Sequence, residues 1–341
     1  MIYSIFHKCS CYAKKTVFFL ITSISIFIFI GCGSKTPPTI VSQSAFYLNT
    51  VITITLYDDS DPALIAECFE LCRRYEQEFS RTSEGSHLYC LNHDTASERL
   101  LSKDLQALIA TGLSYHERSD GLFDITVAPL SDLWQFSSEN PVVPDDTALH
   151  NALAHVDASK LNLNDDILHY EDTAIQLDLG GIAKGYIADR LKEFLVEQGV
   201  TSALIDLGGN ILCIGAKPDG SPFRVGIREP FAPQGTSIAV AAVSDLSVVT
   251  SGIYERCFTE DDVLYHHLLD PRTGYPLRTG LNSVSIISKS SVDGDALSTV
   301  CFALGTEKGM ELINSMPDVY AVFVTENNEL VYSEGAETFF Q

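Results

Sequence analysis

The chain has 341 residues, 45% of them hydrophobic and 20% charged, a balance typical of a globular protein with a sizeable core. Its formal net charge of −23 argues against a nucleic-acid partner, because phosphate backbones are bound by a surplus of Lys and Arg. Any phosphate-bearing ligand would therefore need local cations or a metal ion.

The first 31 residues are typical of a signal peptide. Three lysines precede an apolar run over 16–30, too short for a comfortable membrane span, which ends in Gly31-Cys32. A small residue directly before Cys resembles the lipobox of bacterial lipoproteins. We expect lipidation at Cys32, a flexible tether over 32–45 and one domain over 46–341, anchored to the cell membrane and facing the periplasm or the exterior. The alternative is an uncleaved anchor helix.

The first half of the domain contains one strand signal followed by two helix signals. Apolar residues alternate with threonines over 50–57, which predicts a half-buried strand. Asp61-Pro62 then begins a helix, as cap and first-turn proline. The polar stretch over 79–92 reads as a loop, and a second helix is predicted over 104–118.

The second half combines helices with antiparallel-looking strands. A short helix is predicted to about Ala154, a strand over 175–178, and a helix after Lys184 that stops at Gly199. Strands follow over 202–206, 211–214, 223–227, 237–243, 246–250, 282–288 and 319–324, with a helix over 293–304. Because strands and helices do not alternate regularly, the predicted class is α+β.

Six cysteines lie outside the signal and anchor segments, and none has the paired C-x-x-C spacing of a metal site. Most fall within apolar patterns, which favours buried free thiols.

The segment from Asp178 to Tyr186 joins a predicted strand to a helix start. Its glycines allow close backbone approach, the helix amino end favours an anion, and Lys184 adds a positive charge. The spacing matches neither common phosphate-loop pattern, so a plain strand-to-helix turn stays open.

Asp295 and Thr299 are four residues apart and would lie on one helix face. A carboxylate and a hydroxyl suit Mg²⁺ bound together with substrate phosphates. The alternative is that Asp295 only caps the helix.

The segment from His266 to Gly274 brings two imidazoles, a carboxylate, a guanidinium and a turn together. Adjacent strand residues point to opposite faces, so His267 is the candidate general base and His266 the bystander. No third nitrogen or sulfur ligand supports zinc. Arg272 is interpreted as a loop anchor rather than a phosphate clamp, and the whole segment could be a solvated hairpin connection.

Together these segments resemble the ApbE family of FAD:protein FMN transferases. The resemblance covers roughly 46–304. The motifs that carry it are Leu48–Thr50, Gly121–Val127 with Pro129 and Trp134, Asp178–Tyr186, Asp206–Asn210, Thr250–Tyr254, His267–Gly274 and Asp295–Thr299.

The resemblance implies an ApbE-like mixed sheet core with flanking helices and a site between two intimately packed subdomains. It implies Mg²⁺-dependent transfer of FMN from FAD to a threonine or serine hydroxyl of an exported flavoprotein, releasing AMP. His267 would be catalytic. The metal would be held by Gly181, Asp295, Ser298 and Thr299, and FAD by Leu48, Thr82, Leu122, Phe123, Asp124, Asp178, Lys184 and Leu269.

The implied acceptor carries an Asp-Gly-x-Thr/Ser-Gly-Ala-Thr/Ser-like motif. Two alternatives keep the same site. One is Mg²⁺-dependent FAD hydrolysis to FMN and AMP, and the other is an FAD-binding lipoprotein without chemistry.

Overall fold

The computed structural model describes residues 38–340, so the predicted signal peptide and Cys32 lie outside the described residues. From Thr39 onward the described residues form one compact unit, in which the two expected subdomains are not separable. No helix among residues 38–340 is both long and apolar enough to cross a membrane. The predicted α+β class is confirmed.

The described residues contain seven α-helices and two short 3₁₀ turns. The helices are α1 (Ala63–Phe79), α2 (His87–His93), α3 (Lys103–Arg118), α4 (Ala128–Trp134), α5 (Asp146–Leu153), α6 (Ala183–Glu197) and α7 (Ser291–Asn314), with 3₁₀ turns at Ala158–Lys160 and Ala336–Phe339.

Fifteen strands within residues 38–340 complete the fold. They are β1 (Val41–Tyr47), β2 (Thr50–Leu56), β3 (Glu98–Leu100), β4 (Leu161–Asn164), β5 (Ile167–Tyr170), β6 (Ala203–Leu207), β7 (Ile211–Ile214), β8 (Phe223–Arg228), β9 (Ser237–Val243), β10 (Ser247–Gly252), β11 (Cys257–Glu260), β12 (Val263–His266), β13 (Leu281–Ser288), β14 (Tyr320–Thr325) and β15 (Leu330–Tyr332).

Eight strands form the main sheet in the order β1-β2-β6-β7-β10-β13-β14-β15, and neighbouring strands are antiparallel. Helix α7 packs on β10 and β13 and also contacts α6. The hairpin β8–β9 contributes to a second apolar cluster that includes Val248 of β10 and Ile287 of β13. Because both of its faces are covered, β13 is buried at every position.

Three predicted boundaries differ from the structure. Strand β1 begins at Val41, so residues 41–45 belong to the sheet and not to the tether. Helix α2 occupies part of the predicted loop over 79–92, because the Ser86 hydroxyl caps it by accepting from the backbone N–H of Tyr89 at 3.2 Å. Helix α7 continues past its predicted end at Leu304, with a non-helical residue at Gly305 (φ 76°).

The predicted strand over 175–178 is wrong. These residues are not in a strand, and the Leu177 peptide groups bond to a side chain instead of a neighbouring strand. Asn92 donates to the carbonyl of Leu177 at 2.9 Å and accepts from its N–H at 2.8 Å. These two hydrogen bonds give partners to the buried N–H and C=O groups of Leu177, a few residues before α6 begins.

All six cysteines outside the signal and anchor segments are free thiols, as predicted. Four of them are buried, whereas Cys90 is exposed and Cys257 is half-buried.

Candidate active site

The amino ends of α6 and α7 meet at the centre of the candidate site. Asp295, on the second turn of α7, is 4% exposed. Its Oδ2 accepts the backbone N–H of Gly185 at 2.9 Å, and its Oδ1 lies 3.9 Å from Lys184 Nζ. Burial raises the pKa of Asp295, while the Lys184 charge and the Gly185 N–H oppose that rise. One carboxylate oxygen is thus committed to the helix contact, and the other faces a cation.

Thr299 and Ser298 follow on the next turn of α7. Thr299 is half-buried, and its Oγ1 lies 3.1 Å from the hydroxyl of Ser251 in β10. Ser298 is fully buried, donates to the Asp295 carbonyl at 2.8 Å and lies 2.7 Å from the same Ser251 hydroxyl. Through these two oxygen partners Ser298 joins α7 to β10, and its predicted role as a metal ligand stays a prediction.

The oxygens of this site suit a hard cation such as Mg²⁺. Asp295 and Thr299 lie one turn apart on α7, and Asp295 keeps one oxygen outside the helix contact. Among residues 38–340, no group of three His, Cys, Asp or Glu side chains could enclose a metal. A cation here would therefore complete its shell with backbone, water or substrate oxygens, which Mg²⁺ commonly does.

His267 lies just beyond the end of β12. Its backbone N–H donates to the Arg256 carbonyl at 3.1 Å, and its buried Nδ1 has no partner among the described residues. Burial lowers the pKa of His267 to about 3, and the positive charges of Arg256 and Lys184 contribute. The imidazole is therefore neutral at neutral pH.

His266 points into the core, as predicted for the bystander. It is 2% exposed, its ring meets Phe302 of α7 edge to face, and its Nε2 lies 3.0 Å from the Leu277 carbonyl. A carbonyl can only accept, so Nε2 carries the proton. Burial lowers the pKa of His266 to about 4.

The loop after His267 is fixed by side chains from distant parts of the chain. The carbonyl of Gly274 (φ 75°) accepts a hydrogen bond from Trp134 Nε1 at 2.8 Å. Arg272 donates to the backbone carbonyl of Asp120 and lies 3.3 Å from its carboxylate. The prediction that Arg272 is a loop anchor is confirmed. Leu269 forms an isolated bridge with Pro276, which closes the loop's base.

Asp178 is held by three groups. Its Oδ1 accepts from the Gly180 N–H at 2.9 Å, and its Oδ2 lies 3.0 Å from both Arg81 Nε and the Ser131 hydroxyl. Its own N–H donates to the Ile125 carbonyl at 2.8 Å. The carboxylate of Asp178 is therefore fixed in position and paired with the charge of Arg81, shortly before α6 begins.

The run 122–124 is divided between the site and the core. The Phe123 ring lies 3.1 Å from where a Cβ on Gly181 would stand, so the glycine allows this approach. In contrast, the Asp124 carboxylate is 8% exposed and accepts from Thr126, Ala158 and His116. The side chain of Asp124 is therefore structural, and only its backbone is free for the predicted FAD contact.

Two further predicted contacts lie on turns. Leu48 and Asn49 both adopt left-handed backbone (φ 55° and 57°), and the Leu48 N–H donates to Glu76 at 2.8 Å. Thr82 is exposed, directly after Arg81.

Sequence reasoning missed three residues of this region. Arg81 pairs with Asp178, Ser251 contacts two successive residues of α7, and Arg256 lies beside His267. Arg81 and Arg256 carry no spacing signal. Ser251 belongs to the motif Thr250–Tyr254, to which no role was given.

A fold of this class, in which a cation and a buried carboxylate lie at two helix amino ends and the cation's charge lowers the pKa of a neutral histidine, is suited to binding a phosphorylated ligand. The ApbE family model matches residues 48–323, and the chain belongs to the ApbE family.

Named relatives and solved structures agree. FAD:protein FMN transferases of Klebsiella pneumoniae and Treponema pallidum are 35% and 34% identical, over 86% and 89% of this chain and 92% and 90% of theirs. The structures of the ApbE protein of Thermotoga maritima and the flavin transferase ApbE of Vibrio cholerae each match with a TM-score of 0.81. They are 29% and 26% identical to this chain, and each alignment covers 89% of this chain and 100% of the other.

Proposed function

We propose that this chain transfers the FMN moiety of FAD to a threonine or serine hydroxyl of an exported flavoprotein and releases AMP, with Mg²⁺ at the site. One observation carries the proposal beyond family membership. Lys184 Nζ lies 3.9 Å from Asp295 Oδ1, and its charge also lowers the pKa of His267. The charge stabilisation and the base that phosphoryl transfer requires are therefore side by side.

The reaction exchanges one phosphorus–oxygen bond for another. The acceptor Oγ forms a bond to the phosphorus of the FMN half, the bond from that phosphorus to the oxygen of AMP breaks, and AMP leaves with the electron pair. His267 takes the hydroxyl proton, a step typically worth about 10²- to 10⁴-fold in rate. Lys184 offsets the charge of the diphosphate.

The cation would be held by Asp295, Thr299 and the Gly181 carbonyl. When bound, Mg²⁺ supplies positive charge that neutralises the phosphate oxygens. The remaining predicted contacts, Leu48, Thr82, the backbone of 122–124, Asp178 and Leu269, would orient FAD so that the acceptor attacks in line.

One assay tests the function. The protein is incubated with FAD, Mg²⁺ and a peptide carrying the Asp-Gly-x-Thr-Gly-Ala-Thr-like acceptor, and both the peptide's covalent flavin fluorescence and free AMP are measured. We expect fluorescent peptide and AMP in equal amounts, both lost with EDTA. AMP without labelled peptide would instead indicate hydrolysis, and neither product would indicate an FAD-binding protein.

We further propose that a lipid on Cys32 holds the domain at the cell membrane, facing the periplasm or exterior. Support comes from the Gly31-Cys32 pattern after the apolar run over 16–30. Metabolic labelling with palmitate tests this, since a protein without label in the membrane fraction would contradict the anchor.

A further inference from the structure

The amino ends of α6 and α7 cap each other through two carboxylates, of which Asp295 is buried and Asp189 half-buried. Asp295 of α7 accepts the N–H of Gly185, in the first turn of α6, at 2.9 Å. Asp189 of α6 accepts the N–H groups of Ser291 and Val292, in the first turn of α7, at 2.9 and 3.0 Å. Each helix thus gives a carboxylate to the other's free amino end, where backbone donors and the helix dipole favour negative charge.

This reciprocal cap lies at a very close helix contact. A Cβ on Gly185 would stand 2.3 Å from the Ser291 carbonyl oxygen and 2.6 Å from Val292 Cα, so only glycine fits. Gly185 and Asp189 are four residues apart and therefore share the face of α6 that meets α7. The first turn of α7 is also held by Asn210, whose side-chain oxygen accepts from the Ser291 hydroxyl at 2.8 Å.

The cap connects the two charged parts of the site. Lys184 precedes Gly185 on α6, and Asp295 follows Ser291 and Val292 by one turn on α7. With Oδ2 of Asp295 committed to Gly185, the direction of its other oxygen depends on how α7 is seated against α6. Asp189 fixes that seating without reaching the site itself.

We propose that Asp189 is a positioning residue that aligns Asp295 for its cation. This inference rests on the proposed function for the presence of a metal, and both carboxylate oxygens of Asp189 accept from the α7 backbone. Outer partners that orient a metal-ligating carboxylate typically change metal affinity by about 10- to 100-fold when they are replaced.

The test is direct metal binding by Asp189→Asn. The amide keeps the shape but turns an NH₂ group toward one of two N–H donors, so it breaks half of the cap. Bound Mn²⁺ is measured by electron paramagnetic resonance, without FAD or acceptor. We expect the Mn²⁺ dissociation constant to rise about 10-fold or more, and transfer to recover partly at high Mg²⁺.

Asp58→Asn is the matched control. Asp58 also accepts two successive N–H groups, from Thr201 and Ser202 at 2.7 and 3.2 Å, but at the start of β6. The Asp58→Asn variant should lower the urea midpoint of unfolding, as Asp189→Asn does, but should leave the affinity for Mn²⁺ unchanged. If Asp189→Asn does not fold, Asp189→Ser removes the carboxylate without introducing an amide donor.

Two outcomes overturn the inference in distinguishable ways. Wild-type Mn²⁺ affinity in a folded Asp189 variant would reduce Asp189 to an ordinary cap and leave the proposed function intact. A wild-type protein that binds no Mn²⁺ would overturn the metal part of the proposed function, and the inference with it.

Discussion

Lys184 is the residue on which the charge balance of the site depends. The chain carries a net charge of −23, yet this ammonium lies 3.9 Å from a buried carboxylate and close to a histidine. It opposes the rise in the pKa of Asp295 and helps to lower that of His267. The charge of Lys184 therefore favours an ionised Asp295 and a neutral His267 at the same pH.

His267→Ala tests the base. We expect transfer to the peptide to fall by about 10²-fold or more, because the acceptor hydroxyl loses its proton acceptor. FAD affinity, measured by quenching of flavin fluorescence, should stay within about threefold, since general-base catalysis acts on the transition state.

His93→Ala is a suitable control, because that imidazole is exposed and stacks only on Tyr89. Full transfer activity in His267→Ala would remove His267 from the mechanism. A large loss of FAD affinity would make it a binding residue instead.

At the level of elements, periodicity predicted the parts of the fold that depend on local pattern. The alternation over 50–57 corresponds to β2, and the helix predicted after Asp61-Pro62 corresponds to α1. The predicted start is wrong by one residue, because α1 begins at Ala63 with Pro62 as its N-cap and not as its first residue. Failures occurred where a distant side chain decides the structure, as when Asn92 replaces a neighbouring strand beside Leu177. No local pattern encodes a partner 85 residues away.

The same distinction applies to the site. Lys184, Asp295 and His267 were predictable because each lies in a motif with a chemical reason for its spacing. Asp189 was not, since a carboxylate in the middle of an amphipathic helix reads as solvated until α7 is placed over it. Its cap is a tertiary contact between residues about 100 apart, outside the reach of any sequence window.

Gly185→Ala sets helix propensity against packing. Alanine has a higher helix propensity than glycine, by up to about 1 kcal/mol in a helix interior, and the gain in the first turn of α6 lies within that limit. A methyl group here would meet the α7 backbone at 2.3 Å, and overpacking of this kind typically costs about 1–3 kcal/mol or more. We expect net destabilisation in urea unfolding, together with weaker Mn²⁺ binding because Asp295 is displaced. A more stable variant would show that α6 and α7 can move apart at a small cost in free energy.

For the whole molecule, buried neutral histidines couple folding to pH. His266 has a pKa near 6.5 when unfolded and about 4 when folded, because burial disfavours the charged ring. Between these values the unfolded chain binds more protons than the folded chain. Its contribution to stability is therefore complete above pH 6.5 and is lost progressively as the pH falls toward 4.

His266→Gln isolates this contribution, because an amide can still donate to the Leu277 carbonyl but does not titrate. The pH-dependent part is at most roughly 3 kcal/mol, from about 1.4 kcal/mol per unit of pKa shift. The free energy of unfolding of both proteins is measured in urea from pH 7.5 to 4. Wild-type stability should fall more steeply below pH 6.5, so the difference between the two curves changes by up to that amount. Parallel curves would mean that His266 does not stay neutral in the folded protein, and that the core beside Phe302 admits a charge.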